Sequence, residues 1–422
     1  MSRPTAHDTA TARRAHTAAQ GILADLAEPR RVRFRADYPP LRGRPASISG
    51  GAAGVALAHI EAARTGHATL DTAKVWLGRA LTGPVNGGAT ATLWSGAPAL
   101  GLVTAAAAFH MGLTGARQRL HQAAVRLTRH RLARAHARLA RGELPPQAEF
   151  DLIQGLTGLG AYHLHTDPGS DITRQVLSYL TRLTQPITGF SRRLPGWWTD
   201  QSIAGVRDPA FPGGHLNLGV AHGAGALLAI LSLALLRGVT VGGHTQAIER
   251  ICAVLDTWQH TEQTGARWAP YYLTLRQWNG GSAPVAVSRQ RPSWCYGTPG
   301  LARAHQLAGL AVDDPARQAM AVQAMADCLR DTSQLGTLTD LGLCHGWAGL
   351  LHCAWRINRD APSAPLTADL EHTAAALLDR LDHDPSSDPE FLNGRAGIAL
   401  ALHAYANGTA PGVPWDACLA LA

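Results

Sequence analysis

The sequence predicts an all-α protein in which seven helix pairs form a double-layered helical ring or solenoid. Three observations support this prediction: a glycine-led motif recurs seven times, polar stretches with helical periodicity lie between the copies, and strand-like alternation is nearly absent. Apolar residues make up 46% of the chain and charged residues 16%, so a large core can be buried. We expect residues 1–422 to form a single domain.

The repeated motif is Gly-x-x-Gly or a near-copy, and each copy opens an apolar, helix-like run. Glycine at this place allows a sharp turn into a helix and a close approach of two backbones. The run GAGALLAILSLALL is apolar on most faces, which predicts helices that are buried all round. The copies are GAAG, GAPA, GLTG, GAGA, GTPG, GWAG and GRAG, which begin at Gly51, Gly96, Gly155, Gly223, Gly297, Gly346 and Gly394.

More polar stretches precede the copies, and we interpret them as outer helices that each lead into the next apolar helix. Examples are residues 67–81, 116–141, 245–263, 315–333 and 365–381. The second example is rich in arginine and predicts a solvated basic face, with docking of a peptide or partner enzyme as the alternative. No recognisable module or aromatic interleaving accompanies these arginines, so nucleic-acid binding is not expected. They are Arg117, Arg119, Arg126, Arg129, Arg131, Arg134, Arg138 and Arg141.

Cysteine content and the lack of a signal-like segment predict a cytoplasmic protein. The net charge is +8, almost all of it from arginine because Lys74 is the only lysine, and it could favour an acidic peptide or partner surface. Six cysteines without dense spacing do not resemble a secreted disulfide framework. The amino terminus has no apolar signal-like region. The longest apolar run, residues 224–236, is too short to cross a bilayer comfortably and predicts a buried helix.

Three copies of the motif carry reactive side chains just before their glycines. They read NLGVAHGAGA with His222, RPSWCYGTPG with Cys295, and LCHGWAG with Cys344 and His345. If the repeats are in register, these side chains lie at the same end of the inner ring. Two thiols and an imidazole are sufficient for a zinc site with an open fourth position. The spacing alone leaves open that these are two buried apolar cysteines and a core histidine.

These three motifs, in this order, resemble the signature motifs of LanC-type lanthipeptide cyclases. The segments FDLIQGLTG at 150–158 and FLNGRAG at 391–397 resemble further blocks of that family. The resemblance covers essentially the whole chain and implies an α/α toroid and a stand-alone class I enzyme. It also implies that the zinc ligands are Cys295, Cys344 and His345, and that the active-site residues around the metal are His222, Asp151, Arg291 and Tyr296.

The reaction implied by this resemblance is a Michael-type addition of a peptide cysteine to dehydroalanine or dehydrobutyrine, which forms a lanthionine or methyllanthionine ring. Zinc would activate the thiol, His222 would protonate the enolate carbon, and Asp151 and Arg291 would orient the histidine and the substrate. The implied partners are a dehydrated precursor peptide with leader and core, a separate dehydratase and an exporter. A cytoplasmic enzyme could also associate peripherally with a membrane-bound biosynthetic complex.

Three alternatives stay open at this point. A related enzyme could add glutathione to dehydrated residues, a glycosidase could use a similar ring, and a non-catalytic scaffold could dock a peptide or dehydratase. A glycosidase would need two facing carboxylates, and only Asp151 lies beside a glycine motif. Other conspicuous residues match no ligand position or are expected to serve packing: His215, His352, Cys353, Cys252, Cys328, Cys418, Trp294 and Trp347.

Overall fold

The computed structural model describes residues 9–34, 45–189, 192–202, 204–207, 209–262, 265–267, 271–280, 291–362, 364–383 and 388–422. Helices account for most of this part of the chain. They are α1 (Ala10–Asp25), α2 (Ala52–Arg64), α3 (Leu70–Ala80), α4 (Ala97–Met111), α5 (Thr114–Ala140), α6 (Gln147–Phe150), α7 (Leu156–Thr166), α8 (Asp171–Leu183), α9 (Ala224–Leu236), α10 (His244–Thr257), α11 (Leu275–Asn279), α12 (Thr298–Ala311), α13 (Pro315–Arg330), α14 (Thr332–Leu335), α15 (Trp347–Asp360), α16 (Thr367–His383) and α17 (Arg395–Asn407).

Among the described helices, seven begin directly after the first glycine of a motif copy and form an inner ring. Each inner helix contacts the next, and the last contacts the first, which closes the ring. In α9 every residue from Ala224 to Ala234 is buried. The predicted apolar helices that start at the glycines are therefore confirmed, and so is the ring rather than an open solenoid. The inner helices are α2, α4, α7, α9, α12, α15 and α17.

The outer layer is paired with the inner ring differently from the sequence interpretation. Of the outer helices, the one that follows each inner helix up to α15 makes the most extensive contact with it, and α17 packs on α1. Sequence analysis placed the outer helix before its inner partner. The observed pairing follows from the length of the connections. Because the turn after each of these inner helices is short, the next helix packs against it as an antiparallel neighbour. The outer helices are α1, α3, α5, α8, α10, α13 and α16.

Short strands occur where sequence analysis expected almost none. Each is three residues long, which is too short to give an alternating pattern. Three of them lie in the connection between α8 and α9, and the other three lie between α10 and α11. The predicted helix 245–263 accordingly stops at Thr257 and a strand follows, while its predicted end, Gln263, lies outside the described residues. The antiparallel pairs are β1 (Ile187–Gly189) with β2 (Arg192–Leu194), β3 (His215–Asn217) with β6 (Tyr272–Thr274), and β4 (His260–Glu262) with β5 (Gly265–Arg267).

The second glycine of the motif is required by a close backbone approach. A Cβ at Gly300 would overlap the carbonyl oxygen of Trp294, and a Cβ at Gly349 would overlap that of Leu343. The loop before each of these helices therefore folds back over its first turn. The same approach to the carbonyl six residues earlier occurs at Gly54, Gly158 and Gly397.

Main-chain hydrogen bonds join the loops of neighbouring repeats at equivalent positions. Two residues before the first glycine, the amide of Cys295 donates to the carbonyl of Cys344 (3.1 Å), and the amide of Cys344 donates to Leu392 (2.8 Å). The amide of Leu392 donates to Ser49 (3.0 Å), and that of Ala221 donates to Cys295 (3.2 Å). The repeats are thus in register, and side chains at equivalent positions are neighbours at one end of the ring.

A C-terminal 3₁₀ turn, Trp415–Leu419, lies inside the ring. It is buried and contacts inner helices on different sides, α2 and α7. Its Asp416 carboxylate contacts His352 at 2.7 Å, and the carbonyl of Leu419 accepts a hydrogen bond from Trp294 Nε1 at 2.9 Å. His352 and Trp294 therefore belong to the packing of the ring centre, as expected from the sequence.

The arginine-rich helix α5 is only in part a solvated basic face. Arg138 is buried and pairs with Glu149 at 2.8 Å, and Arg131 donates to the carbonyls of Ala89 and Ala91 at 2.8 Å each. Both side chains fasten α5 to neighbouring loops. The exposed arginines are Arg117, Arg119, Arg126, Arg129, Arg134 and Arg141.

Cysteine state and helix length agree with the sequence analysis. The six cysteines carry free thiols, and four of them are buried away from the reactive motifs: Cys252, Cys328, Cys353 and Cys418. Among the described residues, no helix is both long enough and apolar enough to cross a membrane.

Acidification is expected to destabilise the ring through its buried histidines. Burial lowers the pKa of His59 and His403 to about 4, and that of His163 and His305 to about 3. Because the unfolded chain takes up these protons below pH 6.5, stability present above that pH is lost as the pH falls, by up to ~2 kcal/mol per histidine at pH 5. Burial raises the pKa of Glu61 to about 7, which opposes the trend but is a single group.

The measurement is the urea midpoint at pH 7 and pH 5. In the control variant His59→Gln, the introduced amide can still donate to the carbonyl of Leu26, which lies 3.3 Å from His59 Nε2. This variant should show a shallower dependence of stability on pH. A parent protein whose free energy of unfolding is the same at both values would contradict the explanation.

Candidate metal centre

Two cysteines and one histidine come together at the start of two neighbouring inner helices. Cys295 precedes α12, and Cys344 and His345 precede α15. Their potential ligand atoms all lie within 4.8 Å of one another. Cys295 is buried, whereas Cys344 and His345 are half-buried, so the cluster is reachable from one side. Sequence analysis expected this convergence, and the main-chain bond between the two cysteines explains it.

The chemistry of the cluster fits a metal ion. A hydrogen bond with the thiol of Cys344 holds the pKa of Cys295 well below its usual range, and His345 and Ser293 act in the same direction against the effect of burial. Thiolates and a neutral imidazole are ligands for soft and borderline metal ions. Three protein ligands and one accessible side would leave a fourth position open on such an ion. Within the part of the chain that the structure describes, this is the one group of three potential metal-ligating side chains whose ligand atoms lie this close together.

Asp340 is a site residue that sequence reasoning missed. Its Oδ2 lies 3.6 Å from His345 Nε2 and 3.7 Å from Arg291 Nη1, so it connects the cluster with the predicted Arg291. Both Asp340 and Arg291 stand six residues before the first glycine of their motif copies. That shared position is a signal that a repeat alignment could have used. The Arg291 side chain is 35% exposed, which leaves it accessible from the open side.

His222 forms a pair with Asp151. His222 Nδ1 lies 2.5 Å from Asp151 Oδ2, and the other carboxylate oxygen accepts hydrogen bonds from the amides of Gln154 (2.6 Å) and Gly155 (2.8 Å). Asp151 is only 1% exposed, so the loop that starts α7 holds it rigidly. The second nitrogen of His222 is then free to face the open side, where the ring is 14% exposed. The carboxylate both fixes the loop before α7 and orients the imidazole.

Tyr296 lies next to both groups. It directly follows Cys295 in the chain, and its ring centroid is 6.5 Å from that of His222. Its hydroxyl oxygen accepts hydrogen bonds from Asn217 Nδ2 (2.9 Å) and from the hydroxyl of Tyr272 (3.0 Å). Burial raises the pKa of Tyr296, so the phenol is neutral at physiological pH. Sequence reasoning missed Asn217, although it belongs to NLGVAHG, and Tyr272, which belongs to a strand that was not predicted.

The remaining candidates stay outside the cluster. His215 is buried in β3, and its Nε2 lies 3.4 Å from Gln147 Oε1. Trp347 is buried and donates to the carbonyl of Leu338 at 3.3 Å, in agreement with a packing role. All seven predicted site residues, by contrast, lie in the loops that precede α7, α9, α12 and α15, at one end of the ring.

A closed α/α ring with a Cys, Cys, His cluster beside a carboxylate-bound histidine defines a toroidal protein with a thiol-rich candidate metal centre. The sequence matches the family described as "Lanthionine synthetase C-like protein" over residues 44–419, and the chain belongs to this family. The family resemblance seen in the motifs is thus confirmed.

Two individual proteins illustrate the similarity. Nisin biosynthesis protein NisC of Lactococcus lactis subsp. lactis is 23% identical over 266 residues, which cover 62% of this chain and 61% of NisC. The solved structure of a nisin cyclase matches with a TM-score of 0.76 at 20% identity and covers 96% of each chain. This structural match confirms the predicted toroid fold.

Proposed function

We propose that this chain is a zinc-dependent lanthipeptide cyclase, in which residues 1–422 act as one domain. It would join cysteine thiols of a dehydrated peptide to dehydroalanine or dehydrobutyrine and form lanthionine or methyllanthionine rings. The observation that carries the proposal is the cluster of Cys295, Cys344 and His345 beside the Asp151–His222 pair. Ring closure needs both a thiolate and a positioned proton, and this end of the toroid offers groups for each.

The three cluster residues would hold the zinc ion. When bound, the ion would lower the pKa of a peptide thiol so that a thiolate is present at neutral pH. Asp340 would help to orient His345, since its Oδ2 lies 3.6 Å from Nε2 of that residue. Such partners keep a ligating imidazole in one orientation.

We assign the transfer of the proton to His222. Asp151 is fixed by two backbone amides, so it accepts the Nδ1 proton of His222 and leaves Nε2 to exchange a proton with the substrate. Thiol addition to the β carbon produces an enolate, and the α carbon must then gain a proton. We assign that proton to His222 Nε2. Arg291 would orient the substrate backbone from the accessible side.

Chemistry also indicates the partners. Dehydrated residues must be made before they can be cyclised, so a separate dehydratase would supply a precursor peptide with leader and core. We further propose that an exporter removes the product and that the enzyme works in the cytoplasm, either free or peripherally associated with a membrane-bound biosynthetic complex. The exposed arginines of α5 are a candidate surface for these partners.

The alternatives fit the site less well. A glycosidase needs two facing carboxylates, but both oxygens of Asp151 are engaged by His222 and two amides. A non-catalytic scaffold would not need the clustered thiols. Addition of glutathione would use the same centre, so it has to be separated by experiment.

We expect the purified enzyme to consume the free thiol of a peptide that carries one cysteine and one dehydroalanine without any change in peptide mass, because ring closure is an isomerisation. Thiol alkylation followed by mass spectrometry measures both quantities. The reaction without enzyme is the reference for uncatalysed closure. In a parallel assay with added glutathione, a mass increase equal to glutathione with the peptide thiol intact would select the glutathione-adding alternative. No acceleration over the reference would contradict a cyclase.

A further inference from the structure

The side-chain amide of Asn217 has a fixed orientation. Its Oδ1 accepts a hydrogen bond from the backbone amide of Gly219 at 3.0 Å, so Nδ2 is the atom that faces the Tyr296 hydroxyl at 2.9 Å. An amide NH₂ group can only donate, and the phenol oxygen of Tyr296 must therefore accept. Asn217 is completely buried, so water does not compete for this contact.

A second donor occupies the other side of the phenol oxygen. The hydroxyl of Tyr272 donates to Tyr296 at 3.0 Å. Tyr272 stands opposite Asn217 in the β3–β6 pair, so both donors come from one hydrogen-bonded element. With both lone pairs engaged, the hydrogen of Tyr296 is left for a third partner.

The backbone of the same motif makes room for the phenol ring. A Cβ at Gly219 would lie 2.5 Å from Cδ1 of Tyr296 and 2.7 Å from the carbonyl oxygen of Cys295. Only glycine therefore lets β3 and its following turn lie flat against Tyr296. Asn217 lies behind the hydroxyl in the core, and His222 lies on the accessible side. The hydrogen of Tyr296 is thus used by neither Asn217 nor Tyr272, and the phenol ring lies 6.5 Å from the partly exposed ring of His222.

We propose that Asn217 and Tyr272 are positioning residues that make Tyr296 a hydrogen-bond donor to the carbonyl oxygen of the dehydrated substrate residue. This inference rests on the proposed function. As the sulfur–carbon bond forms at the β carbon, the electron pair of the C=C bond moves to place negative charge on that carbonyl oxygen. Tyr296 stabilises the resulting enolate, and its O–H bond stays intact. His222 then supplies the proton to the α carbon, the C=O bond is restored, and no other reactant is needed.

The decisive variant is Asn217→Asp, which keeps the shape of the side chain and its bond from the Gly219 amide. The introduced carboxylate can only accept, so Tyr296 must turn its hydrogen away from the cleft and donate to it. We expect kcat to fall on the order of 10²-fold, the typical effect of losing one such donor, with KM and zinc content unchanged. Tyr296→Phe should lose a similar factor. Tyr272→Phe should lose less, because the Asn217 contact remains.

A double variant separates the effect of the new negative charge from the effect of the altered hydrogen bond. If Asn217→Asp acts by turning the hydroxyl of Tyr296, it should cause no further loss of kcat in the Tyr296→Phe background. A purely electrostatic effect would persist there and would overturn the inference. Asn358→Asp is a matched control, because its Oδ1 only caps the amide of Leu366 (2.7 Å) near the far end of α15, and its kcat should equal that of the parent.

The outcomes distinguish this inference from the proposed function. A parent-like kcat for Asn217→Asp, in a protein with parental zinc content and circular dichroism, overturns the positioning role and leaves the cyclase intact. Equal loss of kcat and zinc would overturn it as well, since the contact would then only support the metal site. A parent enzyme that does not accelerate closure of the cysteine- and dehydroalanine-containing peptide contradicts both.

Discussion

Replacing Cys344 by alanine is expected to remove the bound zinc and to abolish ring closure while the helical ring stays folded. The variant leaves only Cys295 and His345 as ligands, and the peptide thiol loses the centre that would activate it. The fold should tolerate the change, because the amide of residue 344 still donates to Leu392 and the lost side chain is only half-buried. Metal analysis, circular dichroism and the thiol-alkylation assay measure the three quantities.

Cys353→Ala is the matched control for this experiment. Cys353 lies on the helix that follows Cys344, is fully buried and belongs to the hydrophobic core. Its replacement should lower the free energy of unfolding by about 1 kcal/mol, since one small buried group is lost, and should leave zinc and activity at the parental level. One zinc per chain in the Cys344→Ala protein would show that the ligand assignment is wrong.

The ring and the convergence of Cys295, Cys344 and His345 could be predicted because both follow from the repeat. The position two residues before the first glycine recurs in each copy, so placing Cys295 and Cys344 there in successive copies makes them spatial neighbours. Apolar content on all faces distinguished the inner helices from the outer ones. The family resemblance then added Asp151, Arg291 and Tyr296, whose roles spacing alone left open.

The parts that were missed depend on contacts without a periodic signal. Tyr272 reaches Tyr296 only because a three-residue strand pairs it with Asn217, and strands this short leave no alternation to detect. Asp340 meets His345 through loop geometry at the start of α15. The predicted pairing of inner and outer helices was wrong because it followed chain order and gave no weight to the shorter connection after each inner helix.

Replacement of His222 by alanine is expected to separate proton delivery from metal binding. His222 lies outside the three-residue ligand cluster, so the variant should keep its zinc and still bind the dehydrated peptide. Ring closure should slow by ~10²–10⁴-fold, the usual contribution of a positioned general acid. Zinc content, peptide affinity and the rate of thiol loss are the measurements. His59→Gln, which changes a buried histidine of α2, is the control and should close rings at the parental rate.

Asp151→Asn extends this experiment to the orientation of the imidazole. The two backbone amides still find an acceptor in the asparagine oxygen, so its NH₂ group must face Nδ1 of His222 and donate to it. The imidazole is then forced into the tautomer with its proton on Nε2 and cannot readily carry a second proton, which should slow closure nearly as much as His222→Ala. Because both variants interrupt one unit, the double variant should be no slower than His222→Ala alone. Additive losses would show that Asp151 acts independently of His222, and loss of zinc in His222→Ala would place this histidine in the metal site instead.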